Sequence, residues 1–309
     1  MAKHSVIDVH MNGSTTLEEC LKNSAALGFQ ATNLDNAAQL LRRMSEENCT
    51  TFLTFTGNLM ATGLRGTFID LVKSGFVDVV VTTGGAIDHD IIRCFEEYPL
   101  GDFNLDDVEL HKKNINRIGN ILVPNKCYER LEKALQPWLL KAYKKNKITN
   151  PRDFIQLVGE ELKRKGKKDS FIVSCLDAGV PIFSPGLIDS AIGLQMFMFK
   201  QNHRDFSLDV TGDMQAIFDL VFESERTGAL IVGGGISKHY TLGVNLLRGG
   251  LDYSVYVTTA AEYDGSLSGA APKEAKSWGK LKERGQSAVV YGDATILLPI
   301  LSSAVLKKQ

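Results

Sequence analysis

The sequence predicts an α/β fold: a Rossmann-like, mainly parallel sheet with helices on both faces. Two observations support this prediction. Roughly six short apolar strands alternate with helical segments along the 309 residues, and most of these strands end in Gly, Thr or Asp. Ligands of such folds bind at the carboxyl ends of the strands, so we expect a site at that edge. We predict one domain over residues 1–309, with N-terminal helices in residues 1–49 packed on it.

The composition is that of an ordinary soluble globular protein, with 44% hydrophobic and 23% charged residues. A formal net charge of -1 gives no attraction to nucleic acid or to an anionic membrane. No apolar run approaches the roughly 20 residues of a membrane helix, and residues 1–8 lack a signal-peptide core. The 5 cysteines are scattered without a Cys-x-x-Cys spacing, which supports neither a zinc site nor a disulfide framework. These features predict a reduced, cytoplasmic protein without a metal.

The first elements are predicted to be two helices within residues 15–48. Thr15 and Thr16 offer an N-cap, and Gly28 is predicted to end the first helix. The second helix follows from apolar residues at helical spacing between Ala37 and Met44. Both helices are interpreted as packing elements.

Two strands then end in small-residue turns. Residues 51–56 run into a turn at 57–63 that opens a helix, and residues 77–83 run into Gly84 and a helix starting near Asp88. A strand, a small-residue turn and a helix N-terminus together make a pocket for anionic oxygens. This signal is generic, because neither a Gly-x-Gly-x-x-Gly nor a Walker motif is present.

The middle of the chain, residues 100–170, is the most irregular part. Basic runs at 141–147 and 163–168 are interpreted as solvated helix faces, and an acidic partner is the alternative. A third strand is predicted at 170–174 and a further extended piece at 180–183. A helix over 190–200 is apolar nearly all round, which predicts a buried helix with Asp189 at its N-cap.

The last third of the chain predicts a helix and three further strands. A helix over 213–225 precedes strands at 229–232, 253–259 and 287–291, and an apolar helix ends the chain. The first of these strands ends in three glycines, which let the backbone approach a ligand, and the next helix carries His239. A lone histidine there is as often structural as catalytic; in the second case its near-neutral pKa suits proton transfer.

The stretch Asp264–Lys280, called here the 264–280 segment, carries the strongest chemical signal. Trp278 stands two residues before Lys280. A lysine desolvated by an aromatic side chain has a lowered pKa and becomes a nucleophile, whereas an ordinary surface lysine stays protonated. Composition and spacing leave both interpretations open.

The motif Ser277-Trp278-Gly279-Lys280, preceded by Glu262-Tyr263-Asp264-Gly265-Ser266, resembles the catalytic segment of deoxyhypusine synthases. The resemblance covers most of residues 50–309, with no gap between His239 and Lys280. It implies a deoxyhypusine synthase-like fold, a covalent imine on Lys280 and a general base at His239.

The resemblance also implies a cofactor, substrates and an assembly. NAD takes a hydride from spermidine, the aminobutyl part moves to Lys280, and a lysine of the hypusine-bearing translation initiation factor receives it as the hydride returns. We therefore expect a polyamine substrate, the factor precursor as protein partner, and a homotetramer whose active sites are shared between subunits.

The same resemblance supplies the remaining site residues. Those expected to bind the substrate are Asp88, His89, Gly234, Tyr256, Gly265, Ser266, Glu274 and Trp278. Those expected to bind NAD are Gly57, Asn58, Ala61, Thr83, Gly84, Gly85, Asp189, Thr259, Ala260, Asp264, Asp293 and Ala294.

Three positions depart from the family pattern. Leu194 and Leu267 stand where the family has aspartates, and Gly243 stands where it has an asparagine, all three facing the polyamine in the family. Losing one partner of a buried charge pair costs on the order of 3–5 kcal/mol. Three hypotheses follow: a deoxyhypusine synthase with compensating contacts, a homospermidine synthase-like paralogue with another donor or acceptor, or a non-catalytic NAD-binding partner subunit. The third is the weakest, since both His239 and Lys280 are retained.

Overall fold

A computed structural model describes residues 5–306 of the chain. It divides into two compact units. Unit 1 comprises Met1–Phe55, Asp70–Val81 and Ala216–Gln309, and unit 2 comprises Thr56–Ile69 and Thr82–Gln215. The prediction of one domain over 1–309 stays a prediction.

The helices and strands alternate along most of the chain, as expected. The helices are α1 (Leu17–Asn23), α2 (Phe29–Glu46), α3 (Asn58–Ala61), α4 (Leu64–Lys73), α5 (Gly84–Arg93), α6 (Asp107–Lys112), α7 (Asn125–Lys145), α8 (Pro151–Arg164), α9 (Phe171–Ala178), α10 (Ala191–Asn202), α11 (Met214–Glu223), α12 (Gly235–Leu246), α13 (Pro272–Ser277) and α14 (Ala294–Ser302). The strands are β1 (Thr50–Phe55), β2 (Val79–Val81), β3 (Ile115–Ile118), β4 (Ile121–Pro124), β5 (Ile148–Thr149), β6 (Ile182–Phe183), β7 (Ser207–Leu208), β8 (Thr227–Val232), β9 (Leu251–Thr258) and β10 (Leu281–Tyr291).

Unit 1 is built on a parallel sheet. Its strands lie in the order β10-β9-β8-β1-β2, and every neighbouring pair is parallel. The central strand β8 is buried along its whole length. Such continuous burial is typical of a parallel strand covered on both sides. The predicted mainly parallel α/β fold is confirmed.

The helices α2 and α12 lie on opposite faces of this sheet. A side-chain carbon at Gly228 of β8 would lie 2.7 Å from Met44, so this face of the strand is turned towards α2. Successive residues of a strand face opposite sides, so the odd-numbered residues of β8 face away from α2. Ile231, on the other side, is in register with Thr54, whose hydroxyl lies 2.8 Å from that of Thr241 in α12. Helices on both faces therefore bury the apolar sheet.

The N-terminal helices form as predicted, with one correction. Thr16 caps α1, and its hydroxyl accepts a hydrogen bond from the amide of Glu19. Gly28 does not end that helix. The α-helix ends at Asn23, and a short 3-10 helix follows it over Ser24–Ala26. Instead, Gly28 has a positive φ of 84° and is the N-cap of α2. A glycine adopts that backbone angle without steric cost.

Unit 2 contains a correction to the strand predicted at 170–174. These residues begin α9, because the hydroxyl of Ser170 caps the helix by accepting from the amide of Val173. The carboxylate of Asp90 also accepts from the amides of Phe171 and Ile172, at 2.9 and 3.0 Å. The extended piece predicted next is confirmed as β6.

Two further helices of unit 2 differ from expectation. The helix α5 starts at Gly84, four residues before the predicted start at Asp88. The N-cap of α10 is Ser190 and not Asp189. This helix is not buried all round within the described chain, since Leu194 and Phe197 are 58% and 59% exposed.

The two basic runs lie at helix ends and form ion pairs. Lys141, near the end of α7, and Arg164, at the end of α8, bond the buried carboxylate of Glu161 at 2.7 and 2.5 Å. Lys163 bonds Asp177 at 2.6 Å. The side chains of these cations are more than half exposed, which agrees with solvated faces. Within residues 5–306, no helix is both long and apolar enough to cross a membrane.

Candidate active site

A cavity of about 250 Å³ in unit 1 brings several of the predicted site residues together. It lies between the first turns of α12, the strand β9 and the 264–280 segment. The residues that line it are Lys238, His239, Leu242, Tyr256, Leu267, Ala270, Ala271, Glu274, Ala275, Trp278 and Lys280. Both residues expected to be catalytic are therefore on one cavity.

Lys280 is fixed through its backbone where α13 gives way to β10. Its amide donates to the carbonyl of Ala275 at 2.9 Å, and its carbonyl accepts from the amide of Leu251 at 3.1 Å. The side-chain ammonium lies 5.3 Å from the ring centroid of Trp278, within cation–π range. Trp278 is itself 65% exposed, so within unit 1 this aromatic ring does not bury the lysine.

His239 lies in the second turn of α12, close to the predicted start of that helix. Its side chain is exposed, and no hydrogen bond to its imidazole is formed within residues 5–306. The imidazole is therefore available to a ligand. Preceding it, Gly234 is so close to the 264–280 segment that an added side-chain carbon would lie 2.1 Å from the hydroxyl of Ser268. The glycine permits this protein contact, where the sequence had predicted an approach to a ligand.

Lys238 is the functional candidate that the sequence analysis missed. Its side chain is buried, donates to the carbonyl of Ala270 at 2.8 Å, and lies 4.2 Å from the ring centroid of Tyr256. Burial lowers the pKa of Lys238 to about 8, and the charge of Glu274 offsets part of that change. The signal in the sequence is weak: a lysine directly before His239, on the turn that follows the triple glycine.

Tyr256 and Glu274 form two contrasting walls of the cavity. The Tyr256 hydroxyl is buried and has no hydrogen-bond partner within the described residues. Burial raises the pKa of this phenol, which therefore stays neutral and can donate. Glu274 is exposed in the first turn of α13, where a carboxylate can meet a cation from solvent.

The start of the 264–280 segment is held by local hydrogen bonds. The carboxylate of Asp264 accepts from the amide of Ser266 at 2.6 Å, and the hydrogen bonds from Ser266 lower the pKa of Asp264. Gly265 has a positive φ of 69°, which completes this turn. Thr259 and Ala260 precede the turn, and Asp293 caps α14 just before Ala294, accepting from the amide of Thr295.

In unit 2, Asp88 and His89 are buried and already partnered. The Asp88 carboxylate accepts from the amides of Ala191 and Ile192 at 2.8 and 3.0 Å, at the start of α10. Burial raises the pKa of Asp88 to about 7 against these hydrogen bonds. His89 shares a 2.9 Å hydrogen bond with the hydroxyl of Tyr98, and burial lowers its pKa to about 4. Their substrate contacts stay predictions.

The two glycine turns of unit 2 lie against each other. A side-chain carbon at Gly57 would lie 2.6 Å from the Thr83 hydroxyl, and one at Gly84 would lie 2.6 Å from Ser190. Asn58 accepts from the hydroxyl of Thr56, and Ala61 is buried. The turns therefore share one compact region, which also includes Gly85, while the exposed Asp189 directly precedes Ser190. Their NAD contacts stay predictions.

Comparisons with known proteins identify the family and the fold. The family model described as deoxyhypusine synthase matches residues 19–305. The chain is 42% identical to a probable deoxyhypusine synthase of Thermoplasma volcanium over 97% of both chains. It is 43% identical to a probable deoxyhypusine synthase of Ignicoccus hospitalis, covering 99% of this chain and 97% of the relative. A crystal structure of a putative deoxyhypusine synthase from Entamoeba histolytica matches the fold with a TM-score of 0.70 at 24% identity, over 96% of both chains.

Proposed function

The chain belongs to the deoxyhypusine synthase family, and we propose that it transfers the aminobutyl group of spermidine to a lysine of a translation initiation factor precursor. Its relatives indicate a transferase. NAD, spermidine, the acceptor protein and assembly as a homotetramer are parts of this proposal.

The observation that carries the proposal is the cavity of unit 1. It presents a nucleophile, Lys280, a proton acceptor, His239, and a carboxylate, Glu274, within one space of about 250 Å³. Imine chemistry on a lysine needs a nucleophilic amine and a group that moves protons. A primary amine donor also needs a counter-charge, which Glu274 supplies.

The residues of the cavity fit the steps of the transfer. NAD, when bound, supplies the acceptor for the hydride and later its donor. His239 takes a proton from the amine of Lys280, which attacks the imine carbon of the oxidised donor, and the three-carbon diamine leaves with the proton that His239 returns. The aminobutyl group is then held as an imine on Lys280. An acceptor lysine displaces Lys280, and reduction of the new imine completes the transfer.

The walls of the cavity suit such a chain. The ring of Trp278 can cover the methylene groups, and its π-face attracts the terminal ammonium. Glu274 can pair with that ammonium, since its carboxylate is exposed towards solvent. The neutral phenol of Tyr256 has a buried hydroxyl without a partner in the described chain, which suits a donor amine.

The residues expected to hold NAD fit a dinucleotide on one structural criterion. The N-cap of α5 is Thr83, which makes no side-chain capping hydrogen bond. The same is true of the starts of α2, α3, α7, α12 and α13, so this feature permits an anion without being particular to α5. An uncapped helix start leaves its amides for anionic oxygens, as pyrophosphate would require. In this proposal Thr83 and Gly84 would hold phosphate oxygens within unit 2.

A second candidate function rests on Leu267. This apolar residue lines the cavity beside Leu242 and Ala270, and Glu274 is the only carboxylate among the lining residues. One carboxylate matches one ammonium group. The same NAD and lysine chemistry on a less polycationic amine, or with a small amine as acceptor as in homospermidine synthases, is therefore the alternative.

The test is transfer of label. The purified protein is incubated with NAD, spermidine labelled in its four-carbon arm and the factor precursor, and the precursor is analysed for labelled deoxyhypusine. Label on the precursor supports the proposal. Label on a small amine instead supports the second candidate. No label on either, while NAD binds, contradicts spermidine as the donor.

A further inference from the structure

We propose that Lys238 is a positioning residue that ties the 264–280 segment to α12 and so holds the cavity wall at Ala270 and Ala271 in place beside His239 and Lys280. The inference rests on the proposed function for its catalytic consequence. The tie itself is a property of unit 1 and can be measured without any substrate.

The side chain of Lys238 connects α12 to two other elements. Its stem leaves α12, its Nζ atom lies 4.2 Å from the ring centroid of Tyr256 in β9, and it donates at 2.8 Å to the carbonyl of Ala270 in the segment. Only 1% of the residue is exposed. A buried lysine is rare unless it has partners, and these two contacts are the partners.

The tie lies two residues beyond Ser268, where the segment packs against Gly234 at the start of α12. Upstream of Ala270, the hydroxyl of Thr258 donates to the carbonyl of Ser268 at 3.2 Å, and the remaining hydrogen bonds there are local to the turn. Downstream, α13 is only six residues long and leads to Lys280. The backbone of Lys280 keeps its own bonds to Ala275 and Leu251, so an unsecured turn would move the cavity wall at Ala270 and Ala271 relative to Lys280.

Buried charge makes a purely stabilising role a poor explanation. Desolvation lowers the pKa of Lys238 to about 8, so at neutral pH the fold keeps an ammonium in a site that disfavours it. Replacing a whole buried ion pair with apolar residues is often neutral or stabilising, whereas replacing Lys238 alone would remove the donor to the carbonyl of Ala270. Retaining the charge is consistent with a requirement for position, since a charged donor gives the stronger hydrogen bond.

The matched variants are Lys238→Met, which keeps the stem and removes the donor, and Lys276→Met. Lys276 also donates to a carbonyl, that of Glu283 at 2.9 Å, but it does not line the cavity. Amide hydrogen exchange is measured over 264–280 and over β8 as an internal reference. Lys238→Gln repeats the measurement if the methionine variant does not fold.

In Lys238→Met, exchange over the 264–280 segment should rise by about tenfold while β8 and the melting temperature stay unchanged. Borohydride trapping of the donor on Lys280 should slow by about the same factor, and Lys276→Met should leave both within about twofold.

Unchanged exchange with lost trapping would overturn the proposal in favour of direct contact between Lys238 and the donor. Faster exchange everywhere with a lower melting temperature would show a merely structural lysine. If neither amide exchange nor trapping changes in Lys238→Met, Lys238 has no role in holding the segment or in the reaction. If the wild type traps no donor, the exchange data still decide the tie.

Discussion

Ionisable side chains have different surroundings in the two units. In unit 2, Asp90 has no exposed side-chain surface and accepts from Arg65, Ser170 and two backbone amides. In unit 1, His239 and Glu274 are exposed on a cavity and Lys280 is half-buried. The buried groups hold elements in place, and the cavity groups remain free for chemistry.

The comparison of Asp88 with Glu274 shows that carboxylates at similar positions in a helix can have different surroundings. Asp88 and Glu274 both lie in the first half of a helix, and the resemblance gave both a role at the amine. The carboxylate of Asp88 is taken up by the start of α10, whereas that of Glu274 faces solvent. The carboxylate of Asp88 therefore already supports α10 while that of Glu274 has solvent access, and the contact of either with the amine stays a prediction.

The largest expected effect is on the folding of unit 2. Asp90→Ala should lower the free energy of unfolding by about 3–5 kcal/mol, because it leaves the Arg65 guanidinium and three other donors without their acceptor. Glu274→Ala, at an exposed position, should change it by less than about 0.5 kcal/mol. Urea unfolding of both variants measures the contrast. Equal losses of unfolding free energy in the two variants would contradict the distinction between the buried Asp90 and the exposed Glu274.

The next effect is a pH dependence caused by Asp88. Because burial raises the pKa of Asp88 in the folded state from its ordinary value of 3.8 to about 7, the folded state binds the proton more tightly than the unfolded state does. The stabilising contribution is complete below the unfolded pKa and is lost as pH rises through about 7. Between about pH 4 and pH 8 the free energy of unfolding should fall by on the order of 4 kcal/mol.

Asp88→Asn is the control for that titration. The amide does not ionise, so the difference in unfolding free energy between wild type and variant should change across the same pH window. A difference that is constant with pH would show that Asp88 is not the titrating group.

A smaller effect concerns binding at the cavity. Glu274→Gln should raise the KM for the amine donor by about tenfold, since the ammonium loses its counter-charge at a partly solvated site. The melting temperature should not change. Glu283→Gln, an exposed position of β10 that does not line the cavity, is the matched control. Equal KM values for the two variants would argue against a substrate contact at Glu274.

The smallest effect sharpens the choice of donor. Leu267→Asp adds a second carboxylate to the cavity and should improve binding of donors with several ammonium groups by about fivefold over those with one. Leu247→Asp, at the exposed end of α12, should show no such preference. If Leu267→Asp weakens polyamines and monoamines alike, the residue supports the fold rather than donor choice.

The fold was largely predictable because strand ends and helix starts have local causes. The strands of the unit 1 sheet follow from short apolar runs that end in small residues, and β6 was also anticipated. The prediction of a strand at 170–174 was wrong, since a short apolar run does not distinguish a strand from a buried helix. The decisive feature is the side chain of Ser170, which caps α9, together with the distant Asp90.

The candidate site was predictable only where sequence motifs describe it. The family resemblance pointed to His239 and Lys280, and both line the unit 1 cavity together with Trp278 and Glu274. The role of Lys238 could not be predicted, because its burial depends on Tyr256 and Ala270, which are 18 and 32 positions away in the sequence. In the same way, the exposed face of α10 could not be predicted from a helix that is apolar on every side.

The most direct test is borohydride trapping of the intermediate. The protein is incubated with NAD and radiolabelled spermidine, reduced, digested and mapped by mass spectrometry, with Lys280→Ala as the control. We expect the mass of an aminobutyl group on Lys280 of the wild type and no label on the variant. Label at another lysine, or equal label on both proteins, would contradict Lys280 as the nucleophile. No label on the wild type, while NAD binds, would contradict spermidine as the donor.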